Sequence, residues 1–466
     1  MSVEILSRIQ FAFTISFHYI YPPLSIGLGL VMVCMEAMYL RTGNKLYETM
    51  TKFYTRVFAL IFGIGVATGI VMEFEFGTNW ATYSKYVGDV FGSALSAEGI
   101  FAFALESGFL GLLLFGWNRV KPRTHFFATV MVTLGSMFSA IWIVVANSWQ
   151  QTPAGFHIVG SGMNARAEIT DFWAMVFNPS AVDRVLHVWV GAFLAGSFLV
   201  LSISAWYLLH RKYQDFAKAS FRIALVVALV SSWTQLFLGD RSAKVVARYQ
   251  PVKLAAMEGH FDSLAPAPMY LFGWVDQNKE QVHGLGVPGG LSFLTYGNFH
   301  APIQGLNATA PENRPGQVNG VFQVYHLMIA VGSLMILLTT IAAFWFRRDT
   351  LFNKRWVLWI FVWSVLLPQL GNQAGWFTAE MGRQPWVVYG LLRTSNALSQ
   401  AVRANQVVFS LILFVFVYMG LFALFLFLLN RKIQHGPYWA TEEMHSSMHK
   451  DMAEHFGHGK GQPAEQ

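Results

Sequence analysis

The chain has 466 residues, of which 54% are hydrophobic and only 12% are charged. Soluble proteins contain about 25% charged residues, so this composition excludes an ordinary soluble enzyme and predicts an integral membrane protein. The net charge of +7 does not indicate nucleic acid binding, because the basic residues lie between apolar segments rather than in one patch.

The apolar segments are continuous and about 20 residues long, which predicts membrane-spanning helices rather than the short alternating strands of a barrel. No internal repeat or soluble domain interrupts them. We therefore expect residues 1–466 to form a single all-α membrane domain, a bundle of about nine transmembrane helices. The N-terminus lacks the features of a signal peptide and is expected to be a retained helix. The predicted spans are 12–38, 52–74, 92–116, 125–147, 185–209, 219–239, 322–346, 355–376 and 405–430.

Two segments lie outside the predicted spans. The connection over 240–320 is rich in Gly, Pro and Asn, and a loop of that length is usually functional or disordered. Residues 431–466 form a polar, His-rich tail that we expect to be disordered.

Basic residues cluster in alternate connections, which sets the orientation by the positive-inside rule. The odd-numbered connections and the C-terminus are then cytoplasmic, while the N-terminus and the 240–320 loop lie outside. The clusters are Arg41, Lys45, Lys52 and Arg56; Arg119, Lys121 and Arg123; Arg211, Lys212, Lys218 and Arg222; Arg347, Arg348, Lys354 and Arg355; and Arg431 and Lys432.

Glu98 and Glu106 interrupt the third predicted span. Eight residues separate them, which is about 12 Å along a helix and within one broad face. A charge at membrane depth costs a few kcal/mol, and the helices offer almost no basic partners. The pair therefore indicates a proton relay or contacts to a cofactor.

His187 and Met328 open two inward-running spans at similar depth. One His and one Met would make a six-coordinate, low-spin haem iron. The alternatives are an interfacial histidine and a core methionine. His326 competes with Met328, but residues two apart on a helix point about 200° apart, so only one can face a given haem.

His18 lies among aromatic residues ahead of Pro22 and Pro23. It is either an axial ligand or a histidine hydrogen-bonded to a neighbouring helix. Trp376, Glu380 and Arg383 follow at spacings of four and three, one face of a helix. Arg383 would pair with Glu380 or with a haem propionate; the alternative is a simple ion pair at the membrane boundary.

Lys253 and Glu258 lie five residues apart in the 240–320 loop. A neutral, ring-shaped lipid substrate would need a hydrogen-bond donor, a proton acceptor and apolar walls, which this segment offers. The alternative is a solvated charged loop.

Together these segments closely resemble subunit I of the cytochrome bd quinol oxidases, over nearly the whole chain. Five motifs of that family occur here in its order. They are FGTNW at 76–80, SAEGIFAFALES at 96–107, VANSW at 145–149, KLAAME at 253–258 and GRQPW at 382–386.

The resemblance implies roles for the residues at matching positions. His187 and Met328 would be the axial ligands of a low-spin haem b. His18 and Glu380 would each serve one active-site haem, a high-spin haem b and a haem d (or a third haem b), with the assignment open between them. Trp376 and Arg383 would surround that site, Glu98 and Glu106 would bind haem d and deliver protons, and Lys253 and Glu258 would contact quinol.

The resemblance also implies an activity and partners. The enzyme would oxidise two quinols, ubiquinol or menaquinol, and reduce one dioxygen to two waters in a respiratory chain of the bacterial cytoplasmic membrane. It would build a proton gradient by charge separation without pumping. A second membrane subunit, and in some members a very small accessory helix, would complete it.

The chain departs from the family pattern in two places. Its 240–320 loop is the short version, as in the subgroup called cyanide-insensitive oxidases. His326 stands where Arg is frequent, two residues before the Met ligand. Two other functions remain open: a transporter with intramembrane carboxylates, which would be colourless, and a haem-bearing electron carrier, which would not consume oxygen.

Overall fold

The computed structural model describes residues 1–437, most of which lie in helices. Nine helical segments within that part are long and apolar enough to span a membrane, which confirms the predicted all-α membrane bundle. These segments are Val3–Thr42, Lys45–Thr78, Gly88–Phe115, Pro122–Gln151, Ala181–Leu209, Gln214–Tyr249, Pro311–Arg347, Arg355–Met381 and Ala404–His435.

The helices are labelled here in chain order. They are α1 Val3–His18, α2 Tyr21–Thr42, α3 Lys45–Thr78, α4 Ala81–Tyr86, α5 Gly88–Ala97, α6 Ala104–Phe115, α7 Pro122–Gln151, α8 Phe172–Val176, α9 Ala181–Leu209, α10 Gln214–Tyr249, α11 Pro251–Glu258, α12 Gly290–Tyr296, α13 Val318–Arg347, α14 Arg355–Trp363, α15 Leu366–Met381 and α16 Ala404–His435; a π-helix, Glu98–Phe103, joins α5 to α6.

The first span is broken between α1 and α2. Two prolines occupy the first turn of α2. Backbone N–H groups in the first turn have no acceptor within the helix, so proline, which lacks this group, breaks no helical hydrogen bond there. The span begins at Val3, earlier than the predicted position 12, because the helix extends beyond its most apolar stretch. His18 therefore ends α1 inside the span and lies deeper than predicted.

Helices α2 and α9 cross with their backbones in contact. A Cβ built on Gly196 would lie 2.0 Å from the carbonyl carbon of Gly27, and one built on Gly27 would lie 2.0 Å from the carbonyl oxygen of Ala192. Small residues allow such close approach between membrane helices. This crossing fixes α9, which carries His187, against the centre of the bundle.

The long connection is shorter than predicted and contains secondary structure. Helix α10 continues to Tyr249 and α13 begins at Val318, so the connecting segment is 250–317 rather than 240–320. It holds α11, an antiparallel hairpin and α12, and we call it the outer loop. Three antiparallel hairpins lie in the described residues: β1 Phe156–Val159 with β2 Arg166–Ile169, β3 Met269–Asp276 with β4 Gln281–Val287, and β5 Trp386–Val388 with β6 Leu392–Arg393.

Two predicted boundaries near the C-terminus also move. Helix α15 continues to Met381 rather than ending at 376, so Glu380 lies in its last turn instead of after it. Helix α16 continues to His435, past the predicted start of the tail at 431. The remainder of that predicted tail, from 438 on, lies outside the described residues.

Candidate functional site

Glu380 lies at the centre of a buried polar cluster. One Nη of Arg383 donates to its carboxylate, and Asn147 and Gln151 of α7 donate to Oε1 at 3.1 and 3.3 Å. The Arg383 side chain is only 3% exposed. The Glu380 side chain is 33% exposed, so the ion pair is buried on the side of Arg383 and open on the side of the carboxylate. Trp376, one turn earlier on α15, packs edge-on against Tyr19 with the ring centroids 5.3 Å apart.

Two further basic side chains enter the same cluster. Arg184 of α9 donates to the side-chain oxygen of Asn147, and Lys253 of α11 donates to that of Gln151. Burial, together with the charges of Arg184 and Arg383, holds the pKa of Lys253 well below its usual value. Three basic groups thus surround one carboxylate.

Three basic groups and one carboxylate leave an excess of buried positive charge. Either loss of the Lys253 proton or a bound anion would balance it. Several N–H groups of the cluster lack a partner among the described atoms, namely Nε of Arg184, Nη1 of Arg383 and Nε2 of Gln250. Such a group of unsatisfied donors fits the carboxylates of a large cofactor, since charge-assisted hydrogen bonds to carboxylate are strong.

His18 is oriented by the neighbouring helix α3. Its Nδ1 lies 3.0 Å from Oγ1 of Thr68, and that hydroxyl already donates to the carbonyls of Ile64 and Gly65 at 3.0 Å. A hydroxyl has one proton, so Nδ1 carries the hydrogen and Nε2 keeps its lone pair. This is the neutral tautomer that binds a metal through Nε2.

The hydrogen bond of His18 therefore does not compete with ligation. The structure shows that His18 is hydrogen-bonded to a neighbouring helix through Nδ1. Its Nε2 remains available, so the residue can still be an axial ligand. A Cβ on Gly69 would lie 3.2 Å from the His18 ring, so the missing side chain lets the imidazole lie against α3.

Met328 lies against α15, and so does the helical turn that follows His187. A Cβ on Gly375 would lie 3.1 Å from the Met328 sulfur, and Gly191, one turn after His187, adjoins Asn372. The His187 Nε2 lies 3.2 Å from the Gln235 amide, while its Nδ1 is buried without a partner. A buried imidazole with an unsatisfied nitrogen fits a ligand to a bound metal.

His326 is fully engaged elsewhere. Its Nδ1 and Nε2 lie 2.8 Å from the backbone oxygens of Phe322 and Tyr270, respectively. Neither nitrogen faces an open position, which favours Met328 as the ligand on α13. Through Tyr270, His326 also attaches α13 to the outer loop.

Glu98 and Glu106 are brought onto one face by the π-helix. In a regular helix eight residues turn through about 800°, which leaves the second side chain about 80° from the first. The wider turn of Glu98–Phe103 accommodates one extra residue, so the pair is nearly aligned, and π-bulges of this kind are frequent at functional sites. Ser139 and Ser136 of α7 donate to Glu98 and Glu106, respectively.

The Lys253 and Glu258 side chains point in different directions, because five residues on a helix place them about 140° apart. Lys253 points toward the Glu380 cluster, as described above. Glu258 points toward α13 and β3, where the Tyr325 hydroxyl and the backbone of Tyr270 are its polar neighbours. Their side chains are 3% and 2% exposed, so the alternative of a solvated charged loop is wrong for this segment.

Burial raises the pKa of Glu258 to about 7, against a smaller opposing effect of its hydrogen bonds. Its Oε2 is buried without a partner. The side chain therefore combines a free acceptor atom with a proton affinity suited to exchange near neutral pH.

The family model described as cytochrome bd terminal oxidase subunit I matches residues 6–437. The chain belongs to this family. Subunit 1 of the cytochrome bd ubiquinol oxidase of Bacillus subtilis (strain 168) is 39% identical over 447 residues, covering 94% of each chain. Subunit 1 of the cytochrome bd-II ubiquinol oxidase of Escherichia coli (strain K12) is 36% identical over 502 residues, covering 93% of this chain and 96% of that one.

A solved structure supports the same family. The bd oxidase from Geobacillus thermodenitrificans matches with a TM-score of 0.86 and 28% sequence identity, covering 94% of this chain and 99% of that one. The cytochrome bd fold thus accounts for nearly all of the described residues. Cytochromes carry haem, so the family implies haem cofactors for this subunit.

Sequence analysis missed several residues of the Glu380 cluster and of the histidine environments. Signals for some of them exist: Arg184 is a charge three residues before His187, and Asn147, Gln150 and Gln151 end an apolar helix. Thr68 and Gln235 carry no such signal, because isolated polar residues in apolar helices are common. Only the packing of the helices brings them to His18 and His187.

Proposed function

We propose that this chain is the haem-bearing subunit of a quinol oxidase that oxidises two quinols, ubiquinol or menaquinol, and reduces one dioxygen to two waters. The relatives from Bacillus subtilis and Escherichia coli are named as ubiquinol oxidase subunits. The observation that carries the proposal is the buried cluster of Arg184, Arg383 and Lys253 around one carboxylate. A transporter site would not need these unsatisfied donors beside a histidine held in its metal-binding tautomer.

The residues fit three haems. His187 and Met328 would hold a low-spin haem b, and His18 and Glu380 would each hold one of the two remaining haems, a high-spin haem b and a haem d or a third haem b. When bound, haem supplies electron transfer and an iron at which oxygen is reduced. Arg184 and Arg383 would bind carboxylate groups of these cofactors, and Trp376 would pack beside them.

Glu258 would accept a proton from quinol at the outer loop. Its partnerless Oε2 offers the acceptor, and the carboxyl group lies beside Tyr325 of α13, the helix that carries Met328. Lys253 points away from Glu258 and toward Glu380, so its role would be to orient the Glu380 cluster rather than to contact quinol.

Glu106 and Glu98 would carry protons to the oxygen site. Each is bonded to a serine hydroxyl and not to a basic residue, so each can hold a proton without forming a fixed ion pair. A path from the cytoplasm to these residues would move positive charge across the membrane while electrons arrive from the outer side. That separates charge without a pump.

The basic clusters support an orientation with the outer loop and N-terminus outside and the C-terminus inside the bacterial cytoplasmic membrane. A second membrane subunit, and in some cases a small accessory helix, would cover apolar helices that the described residues leave exposed. Helix α16 is one of these, since Phe409 and Phe416 are 71% and 74% exposed.

The purified complex tests the proposal with two measurements. The reduced-minus-oxidised absorption spectrum is expected to contain haem bands, and oxygen uptake is expected on addition of quinol. A colourless preparation would indicate a transporter. Haem bands without quinol-dependent oxygen uptake would indicate an electron carrier.

A further inference from the structure

Glu36 of α2 and His125 of α7 form a buried pair that the proposed function does not use. Both residues are 1% exposed. The His125 Nδ1 lies 2.6 Å from Oε1 of Glu36, and its Nε2 lies 3.1 Å from the backbone oxygen of Leu113. The hydroxyl of Thr129 donates to the other carboxylate oxygen at 2.5 Å. All polar atoms of the pair are therefore bonded.

These contacts specify where one exchangeable proton lies. A carbonyl oxygen only accepts, so the His125 Nε2 carries a hydrogen. The bond between Nδ1 and Glu36 then contains one proton, which belongs either to the imidazolium or to the carboxylic acid. Without it, the Nδ1 lone pair would face a carboxylate.

A line of hydroxyl groups leads from this pair along one face of α7. Thr129, Thr133 and Ser136 follow His125 at spacings of four, four and three, and all are buried. Thr133 donates to the backbone oxygen of Thr129 at 2.8 Å, and Ser136 donates to Glu106. Eleven residues cover about 16 Å of helix. Successive hydroxyl groups are three or four residues apart, about 4.5 to 6 Å along the helix, and Thr133 bonds to the backbone of Thr129 rather than to its hydroxyl. Because hydroxyl groups both donate and accept, one water molecule between each neighbouring two would complete a path for protons.

The pair lies at the end of α7 that meets solvent. Residues 121–124 are exposed, and His125 is the first buried residue of the helix. The Trp117 ring covers it with the ring centroids 3.7 Å apart, and the Lys52 ammonium lies 5.1 Å from the Trp117 ring centroid. Lys52, Lys121 and Arg123 belong to the connections that the positive-inside rule places in the cytoplasm.

We propose that Glu36 and His125 are the proton-uptake pair of this subunit, which takes protons from the cytoplasm and passes them through Thr129, Thr133 and Ser136 to Glu106. The proposal rests on the proposed function, in which four electrons from two quinols and four protons convert one dioxygen to two waters. In the first transfer the bond from the proton to Nδ1 or to the Glu36 carboxyl breaks and a bond to the Thr129 oxygen forms, while the original O–H bond of Thr129 breaks and its proton moves on. Each later group exchanges a proton in the same way, and water on the cytoplasmic side returns a proton to the pair. The last bond formed is to the Glu106 carboxyl group.

The test compares two substitutions at the cytoplasmic end of the bundle in the purified complex. Glu36→Gln keeps the volume and can still bond to His125 and Thr129, but it has no exchangeable acid proton. Glu48→Gln is the matched control, since Glu48 bonds only to Lys45 and Lys52 at 2.7 and 2.6 Å and not to the hydroxyl line. Quinol-dependent oxygen uptake is expected to fall about tenfold or more in Glu36→Gln and to stay within twofold of wild type in the control.

Four further measurements and one further variant separate proton supply from structure. In Glu36→Gln, the haem spectrum and the quinol KM are expected to match wild type, as is the rate of anaerobic haem reduction by quinol. Proton uptake, followed with a pH dye during a single turnover of the reduced complex with oxygen, is expected to slow with turnover. Glu36→Asp, which restores a carboxyl group, should recover part of the rate.

Oxygen uptake and proton uptake within twofold of wild type in Glu36→Gln would overturn the proposal. If Glu36→Gln fails to assemble, Thr129→Val provides the test, because it removes only the hydroxyl next to the pair. Proton uptake at the wild-type rate in Thr129→Val would overturn the proposal and would show that Glu36 and His125 form a structural contact between α2 and α7. Failure of the proposed function is distinguishable, since the wild-type complex itself would then consume no oxygen with quinol.

Discussion

Glu258 gives the proposed quinol reaction a pH dependence that can be calculated from its burial. The side chain is 2% exposed and its polar neighbours are Tyr325 and the backbone of Tyr270, with no basic partner among the described residues. Burial disfavours the charged form, and this effect raises its pKa to about 7 from an ordinary value of 4.5. A proton acceptor must be ionised to act, so the active form accumulates as the pH rises through 7.

The size of the effect follows from that shift. A difference of about 2.5 pKa units corresponds to about 3 kcal/mol against ionisation. At pH 6 about one tenth of the Glu258 side chains would be ionised, and at pH 8 about nine tenths. If Glu258 accepts the quinol proton, quinol oxidation should rise about tenfold per pH unit below 7 and level off above it.

The assay is anaerobic stopped-flow reduction of the complex by quinol, followed by haem absorbance between pH 5.5 and 8.5. Wild type should show the rising limb, and Glu258→Gln should react slowly with no dependence on pH. An artificial donor that reduces the haems directly provides the control, because its rate should be the same in both proteins. A rising limb that persists in Glu258→Gln would refute the assignment of Glu258 as the acceptor.

Four other substitutions test the remaining sites. His187→Ala and Met328→Ala should each remove or convert the low-spin haem signal in the absorption spectrum, because a low-spin iron needs both axial ligands; a normal spectrum in either variant would exclude that ligand. Arg383→Gln should lower the midpoint potential of an active-site haem in a spectroelectrochemical titration, since a nearby positive charge favours the reduced, less positive iron, and an unchanged potential would contradict this. Gly135→Ala would place a Cβ 2.9 Å from that of Glu106 and should lower oxygen uptake by separating α6 from α7. The control Gly108→Ala meets no atom within 4 Å and should not lower it. Equal oxygen uptake in the two variants would show that the close contact between Gly135 and Glu106 is not needed for activity.

The spans and the intramembrane polar residues could be predicted because both follow from the cost of polar groups in lipid. Hydropathy located the apolar centre of each helix but not its ends. For this reason α1 and α15 extend beyond their predicted bounds, and His18 and Glu380 lie further inside helices than expected.

The partners of the site residues could not be predicted in the same way. Gln151 and Glu380 are 229 positions apart and meet only when α7 packs beside α15. The direction of Lys253 depends on where α11 lies relative to the bundle, which no local pattern encodes. The alignment of Glu98 with Glu106 depends on a π-helix, and the sequence pattern carries no separate signal for this insertion.

Glu36 shows a different limit, because its signal was present in the sequence. It is a lone carboxylate within an apolar helix, like Glu98 and Glu106. Without the structure, its bond to His125 is invisible, and a single acidic residue near a cytoplasmic helix end has an ordinary interfacial explanation. Burial of both side chains at 1% removes that explanation.

Helix α7 connects the proposed proton and cofactor sites in one rigid element. Ser136 and Asn147 are eleven residues apart, about three full turns, so they lie on nearly the same face. The first bonds to Glu106 and the second to Glu380, while Gln151, one turn further, bonds to both Glu380 and Lys253. Proton supply from the cytoplasmic end and cofactor binding at the outer end are therefore held in a fixed register by the backbone of a single helix. This arrangement would let protons arrive from one side of the membrane and electrons from the other at a common site, without a moving part between them.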